Sequence, residues 1–189
     1  VPAAGSSNRF SGDVPKQFLQ IGHRSILELS IKPLLDFSEC LGICLVVAPN
    51  DQYHKSLNVI KNSKTSIIEG GITRMQSVIN GVLFWKDSKL PFKNILVHDS
   101  ARPCLRSSDL RTLLESMDRV EIDGLVLGSY CTDTIKEVRT KDLRVKKTLD
   151  RNKLWTAFTP QIFKKEILVE ATLNKALQDK IFTDEASLV

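Results

Sequence analysis

The sequence predicts an α/β fold, a mostly parallel sheet covered by helices, from which a β-hairpin arm protrudes. Three observations predict it. Apolar strand-like runs alternate with amphipathic helical stretches along most of the chain. Strand–helix units recur about every 25–30 residues, the spacing that right-handed crossovers require. After residue 130 the rhythm changes to two short alternating runs around a charged turn, the signature of a hairpin rather than another crossover.

Taken in order, residues 1–5 read as a strand end running into small side chains. Ser25-Ile-Leu-Glu28 is a capping box opening a helix with Ile26, Leu29 and Leu34 on one side and Pro33 as a kink. The stretch 41–48 reads as a buried strand, because Ile43-Cys-Leu-Val-Val-Ala48 has no polar face. Pro49-Asn50-Asp51 ends it, and Asn50 or Asp51 caps a helix expected through residue 62. A strand at 66–68 leads into Gly70-Gly71 and a helix at 73–85. The next strand, 94–97, closes on His98-Asp99 and is followed by a helix at 107–119 and a strand at 125–130. The runs 134–138 and 145–149 flank the charged turn 139–144, and helical sequence returns at 164–179. A two-stranded ribbon cannot bury both faces alone, so this arm, about 131–152, is expected to pack on another subunit. Thr183, Asp184 and Glu185 suit the first turn of a further helix. The chain opens without Met and stops inside that turn, so it reads as one domain, 1–189, cut at both ends.

The chain has 189 residues and 21.2 kDa, 42% hydrophobic and 26% charged, values that fit one soluble domain and exclude disorder. No apolar run approaches the roughly 18–20 residues that span a bilayer. The net charge of +5 suits an anionic ligand. Residues 136–153 hold eight basic and three acidic residues, a local excess equal to that of the whole chain. The segment has no aromatic side chain for base stacking, so it reads as a solvated ribbon and not as a nucleic-acid site. Cys40, Cys44, Cys104 and Cys131 form no CxxC pair, and only His23, His54 and His98 could join them. No protein-held metal site is expected, and the thiols read as reduced cysteines of a cytosolic protein.

Val1-Pro-Ala-Ala-Gly5 runs into Ser6 and Ser7, and the backbone of such small residues can approach a polyphosphate closely. Neither GxxxxGK[ST] nor GxGxxG occurs. Arg9 and Lys16 stand at the two ends of a loop able to fold over phosphates; the alternative is a plain strand-to-helix turn with two surface cations. Gly70-Gly71 would let a base or ribose pack on the backbone, with the Ser77 hydroxyl at the helix start; a tight turn explains the same glycines. Asp99 lies just past a strand that reads as central, where open α/β sheets hold ligands. Arg151 and Thr159 offer a guanidinium fork and a hydroxyl suited to a phosphate monoester. His98 reads as a residue satisfying local hydrogen bonds, with no part in the chemistry.

In order, Pro-Ala-Ala-Gly-x3-Arg-x5-Pro-Lys-Gln, Gly-Gly-x2-Arg-x2-Ser-Val-x2-Gly, Val-His-Asp-x-Ala-Arg-Pro, Asp133-Thr134, Arg151, Thr-Pro-Gln and Thr-Asp-Glu-Ala-Ser cover essentially the whole chain. Together they closely resemble the methylerythritol phosphate cytidylyltransferases of non-mevalonate isoprenoid synthesis. Ribitol 5-phosphate cytidylyltransferases share the opening loop but tend to differ at Ala101. The resemblance implies a Rossmann-like three-layer nucleotidyltransferase domain whose β-arm hooks two subunits together. It implies transfer from CTP to 2-C-methyl-D-erythritol 4-phosphate, with Mg²⁺ held mainly by the CTP phosphates. Arg9 and Lys16 match the pair that stabilises the transition state. Pro2, Ala3, Ala4, Gly5, Gly71, Ser77 and Asp99 match nucleotide contacts. Asp99, Arg102, Thr134, Arg151, Thr159 and Thr183 match contacts to the acceptor, Thr134 and Arg151 reaching the other subunit's site. Ser7 stands where a glycine is usual, and the chain ends before a further lysine that positions the acceptor phosphate. The resemblance implies a cytoplasmic enzyme in a bacterium, a plastid one in a eukaryote. Other readings are a cytidylyltransferase for another polyol phosphate and a nucleotide-binding domain without turnover.

Overall fold

The structure, a computed structural model, describes residues 1–5, 14–119, 121–174 and 182–189. Strands β1 (Gln20–Ile21) and β2 (Arg24–Ser25) form a small antiparallel hairpin turned at Gly22, whose φ of 62° favours glycine. Helix α1 (Ile26–Leu35) begins in the expected capping box: the Ser25 hydroxyl accepts from the Glu28 N–H at 3.1 Å, and the Glu28 carboxylate accepts from the Ser25 N–H at 2.9 Å. Leu27, Ile31 and Leu34 form its buried face, and Pro33 falls in its last turn.

Strand β3 (Ile43–Val47) is buried at all five positions and pairs in parallel with β4 (Thr65–Glu69). On its other edge Pro2 bridges Val46, the Ala3 N–H donating to the Val46 carbonyl at 2.7 Å. The first residues are thereby carried to the carboxyl end of β3. The helix expected up to residue 62 is instead two 3₁₀ turns, Tyr53–Ser56 and Asn58–Lys61. Asp51 accepts from the Tyr53 N–H at 2.8 Å, and the extended, buried Leu57 interrupts the turns because it must reach the α1 core.

Helix α2 (Arg74–Lys86) is capped by Thr73, strand β5 (Asn94–Val97) follows, and helix α3 (Ser107–Arg119) buries Leu110, Leu113 and Met117 at helical spacing. Strand β6 (Gly124–Tyr130) precedes the hairpin of β7 (Lys136–Val138) and β8 (Val145–Thr148), the latter exposed along its whole length. Strand β9 (Trp155–Lys164), absent from the expected element order, runs antiparallel between β5 and β6. The described ladders are therefore mixed rather than mostly parallel: β5 and β6 share a direction, but β9 is wedged between them. Helix α4 (Lys165–Leu173) fills the first half of the expected 164–179 helix, whose remainder past residue 174 lies outside the described residues. The helix expected at Thr183 is a turn: the Asp184 carboxylate accepts from the Ser187 N–H at 3.0 Å and Leu188 tucks into the core beside α2 and α4.

Candidate active site

The carboxyl ends of β3, β4 and β5 open on a polar crevice of about 500 Å³, the place where α/β sheets hold ligands. Pro2, Ala4, Gly5, Lys16, Gly71, Ser77, Asp99 and Arg102 all line it, together with Gln17 and Arg74. A separate cavity of about 330 Å³ beside Trp85, Phe92 and Leu110 is mostly apolar, and no candidate residue lines it.

The opening loop is built from beneath. Gln17 is buried, and its side-chain amide donates to the carbonyls of Ala3 and Gly5, each at 2.9 Å. Ala3 lies under the loop rather than on the crevice wall, its N–H spent on β3. Lys16 opens the 3₁₀ turn Lys16–Phe18, held in place by burial of Gln17 and by Phe18 stacked on Tyr53 at 5.1 Å. Arg9 lies outside the described residues.

The second loop meets the first at Gly70. A Cβ there would stand 2.6 Å from the Ser77 hydroxyl and 2.7 Å from the Ala4 methyl, so the approach needs glycine. The Ser77 hydroxyl accepts from the Gly71 N–H at 3.1 Å and donates to the Thr73 carbonyl at 3.0 Å, fixing the loop to the start of α2.

The third wall follows β5. Asp99 takes Arg74 on one carboxylate oxygen at 2.9 and 3.1 Å and Arg102 on the other at 2.9 Å. Burial pushes the Asp99 carboxyl upward, but the two guanidinium groups outweigh it and hold it below the usual range. An acid so held is an acceptor of hydrogen bonds and not a proton shuttle. Behind it the Asp99 N–H donates to the Thr159 hydroxyl at 3.1 Å, Thr159 donates to His98 Nδ1 at 3.1 Å, and His98 Nε2 donates to the Arg102 carbonyl at 3.2 Å. Burial pushes His98 down to about 4, so the ring is neutral with both nitrogens engaged. Thr159 thus supports Asp99 from inside and does not line the crevice.

Thr159 is presented there by an irregularity. Between the pairs Val126↔Gln161 and Gly128↔Ala157, Leu127 of β6 faces Phe158, Thr159 and Pro160 of β9. Such bulges re-aim side chains out of the ladder. Thr134, Arg151 and Thr183 are exposed and also lie off the crevice wall; Arg151 donates to the Thr132 carbonyl at 2.7 Å at the base of the hairpin. Gln17, Arg74 and Glu185 belong to the site's framework but received no role from the sequence. Their signals were the Pro-Lys-Gln, Gly-Gly-x2-Arg and Thr-Asp-Glu strings in which they stand.

Small-residue loops at strand ends, a lysine on the crevice wall and two arginines on the Asp99 carboxylate define the polyanion crevice of an α/β nucleotidyltransferase. The family 2-C-methyl-D-erythritol 4-phosphate cytidylyltransferase (IspD) matches residues 1–189, and the chain belongs to that family. Proteins of that name from Vibrio vulnificus (strain YJ016) and Haemophilus influenzae (strain PittGG) are 36% identical over 187 residues and 38% over 191. The matches span 99% and 100% of this chain and 78% and 80% of theirs. The crystal structure of the Francisella tularensis enzyme of that name superposes with a TM-score of 0.77 at 28% identity, covering 99% of this chain and 82% of the other.

Proposed function

We propose that this protein transfers the cytidylyl group of CTP to 2-C-methyl-D-erythritol 4-phosphate in isoprenoid synthesis. The observation that carries the reading is the crevice itself, which is lined by Lys16, Arg74, Asp99 and Arg102 together with two loops of small residues. An oxygen of the acceptor phosphate attacks the α-phosphorus, the bond to the β-phosphate oxygen breaks, and pyrophosphate leaves. The nucleophile is already anionic, so no base is needed, in keeping with a neutral, internally bonded His98. The chain's task is to position two polyanions and to offset the charge that builds between them. Lys16, at one end of the opening loop, and Arg9, at the other, supply that charge; Gly71 and the second loop seat the nucleoside. Asp99 accepts from a hydroxyl, and Arg102 faces the acceptor.

The donor set fits a Mg²⁺ that arrives on the nucleotide. Asp99 is committed to two arginines, and among the described residues no group of three His, Cys, Asp or Glu side chains could hold a metal ion. Bound there, the ion would neutralise phosphate charge. No helix among the described residues is long and apolar enough to cross a membrane, and the bacterial relatives favour a cytoplasmic enzyme. The hairpin exposes Val138, Leu143 and Val145 on a ribbon too thin to bury them, which favours a second copy of the chain as partner. Thr134 and Arg151, at its base, would then reach the partner's acceptor.

The test is pyrophosphate release from CTP with the erythritol phosphate and Mg²⁺, ribitol 5-phosphate serving as the control acceptor. Turnover selective for the erythritol phosphate, lowered about 10²–10³-fold in Lys16→Ala and Arg9→Ala, is expected from losing one transition-state charge contact. Equal turnover with ribitol 5-phosphate, or full activity in both variants, would overturn the reading.

A further inference from the structure

Glu185 is fully buried, yet it stands on the turn 182–189, at a sequence distance of 111 residues from its partner Arg74. The turn is pinned to β9 by Gln161, whose amide nitrogen donates to Asp184 and whose amide oxygen accepts from the Ala186 N–H, both at 2.9 Å. The Glu185 oxygens take Nη1 and Nη2 of Arg74 at 2.7 and 3.2 Å. A guanidinium is a rigid plane, so this bidentate grip also sets where its third nitrogen points. That nitrogen, Nε, meets Asp99 at 3.1 Å, joined by Nη2 at 2.9 Å. A carboxylate offers about four acceptor positions. Arg74 takes two of them on one Asp99 oxygen and Arg102 takes one on the other, which leaves one for a ligand in the crevice.

We infer that Glu185 is a positioning residue: without meeting a substrate it orients Arg74, and through Arg74 it presents the Asp99 carboxylate as an acceptor for a sugar or polyol hydroxyl. The inference rests on the cytidylyl-transfer reading for its kinetic consequence and on geometry alone for the relay. A merely structural Glu185 would hold the turn to the body and change the amount of folded enzyme, leaving its affinity for substrates intact.

Glu185→Gln, Glu185→Asp and Arg74→Lys in the full natural chain separate these cases. Steady-state kinetics with CTP and the erythritol phosphate, thermal unfolding, and ¹⁵N resonances of the arginine Nε–H groups are measured together. Expected for Glu185→Gln is a rise of at least tenfold in the KM of the substrate whose hydroxyl Asp99 accepts, CTP or the erythritol phosphate, with kcat within threefold of the parent. Glu185→Asp, which keeps the charge, should recover part of the KM. The Nε–H resonance of Arg102, which Glu185 does not touch, should shift along with that of Arg74. Arg74→Lys, which keeps a charge but loses the fork, should reproduce the KM change. Unchanged KM values for both substrates, whether kcat holds or falls in step with the folded fraction, overturn the proposal. If the parent protein shows no turnover, the cytidylyl-transfer reading fails. The relay is then judged by the Arg102 resonance in Glu185→Gln: a shift sustains it, an unmoved signal overturns it.

Discussion

His98 makes the stability of this protein depend on pH in a window that can be worked out. The ring is fully buried between the Thr159 hydroxyl and the Arg102 carbonyl, and burial lowers it from 6.5 to about 4. Between those values the unfolded chain binds a proton that the native protein refuses, so stability falls as pH falls through the window and levels off below about 4. At 1.36 kcal/mol per pH unit, the full loss is roughly 3 kcal/mol, a large share of the 5–15 kcal/mol typical of a domain. Asp99 does not obscure the window: its carboxyl is held below the ordinary value of 3.8, so its own contribution is lost only in stronger acid. Urea unfolding of the parent and of His98→Gln, from pH 7.5 to 4.5, reads the effect directly. The amide can donate and accept but does not titrate, so the variant should lose about 1–3 kcal/mol at neutral pH and then follow a flatter profile. Parallel profiles for the two proteins would refute the reasoning.

Two further outcomes follow from the loops and the arm. Gly70→Ala places a methyl against Ser77 and Ala4 and should cost about 1–3 kcal/mol in thermal unfolding while weakening CTP binding. Gly5→Ala, with nothing among the described residues within 4 Å of its added carbon, should change stability by less than about 0.5 kcal/mol, and equal losses at the two glycines would count against crowding as the cause. Leu143→Asp with Val145→Asp should turn a dimer into a monomer in sedimentation velocity and lower the melting temperature only by what the dimer contributed, since both side chains are exposed on the single chain. A parent protein that already sediments as a monomer removes the arm from the account.

Local signals carried much of the fold into the sequence. The unbroken apolar run of β3, the capping box of α1 and the alternating arm depend on residues within a few positions of one another, and each lies where its pattern put it. Strand β9 follows no single pattern. Its first residues are exposed and its later ones buried, and Pro160 stands at the bulge, where no ladder bond is forfeited, although in a string of letters it reads as a strand breaker. The same division holds at the crevice. Lys16, Gly71, Asp99 and Arg102 announce themselves through local motifs, whereas Glu185 sits in a string that suits a helix start. Its value comes from Arg74 across 111 residues, and only the folded chain joins them. Thr159 carried the right hydroxyl but serves it inward, because the bulge aims it at His98 and Asp99.

That bulge also has a structural meaning. Strand β9 passes from solvent into the core at Phe158 and Thr159, with Trp155 near the hairpin at one end and the pairing with β5 at the other. The bulge turns the strand where the ladder is interrupted. Because the Thr159 hydroxyl accepts from the Asp99 N–H and meets His98 there, one irregular point in β9 serves both as the strand's entry into the core and as the inner support of the crevice wall.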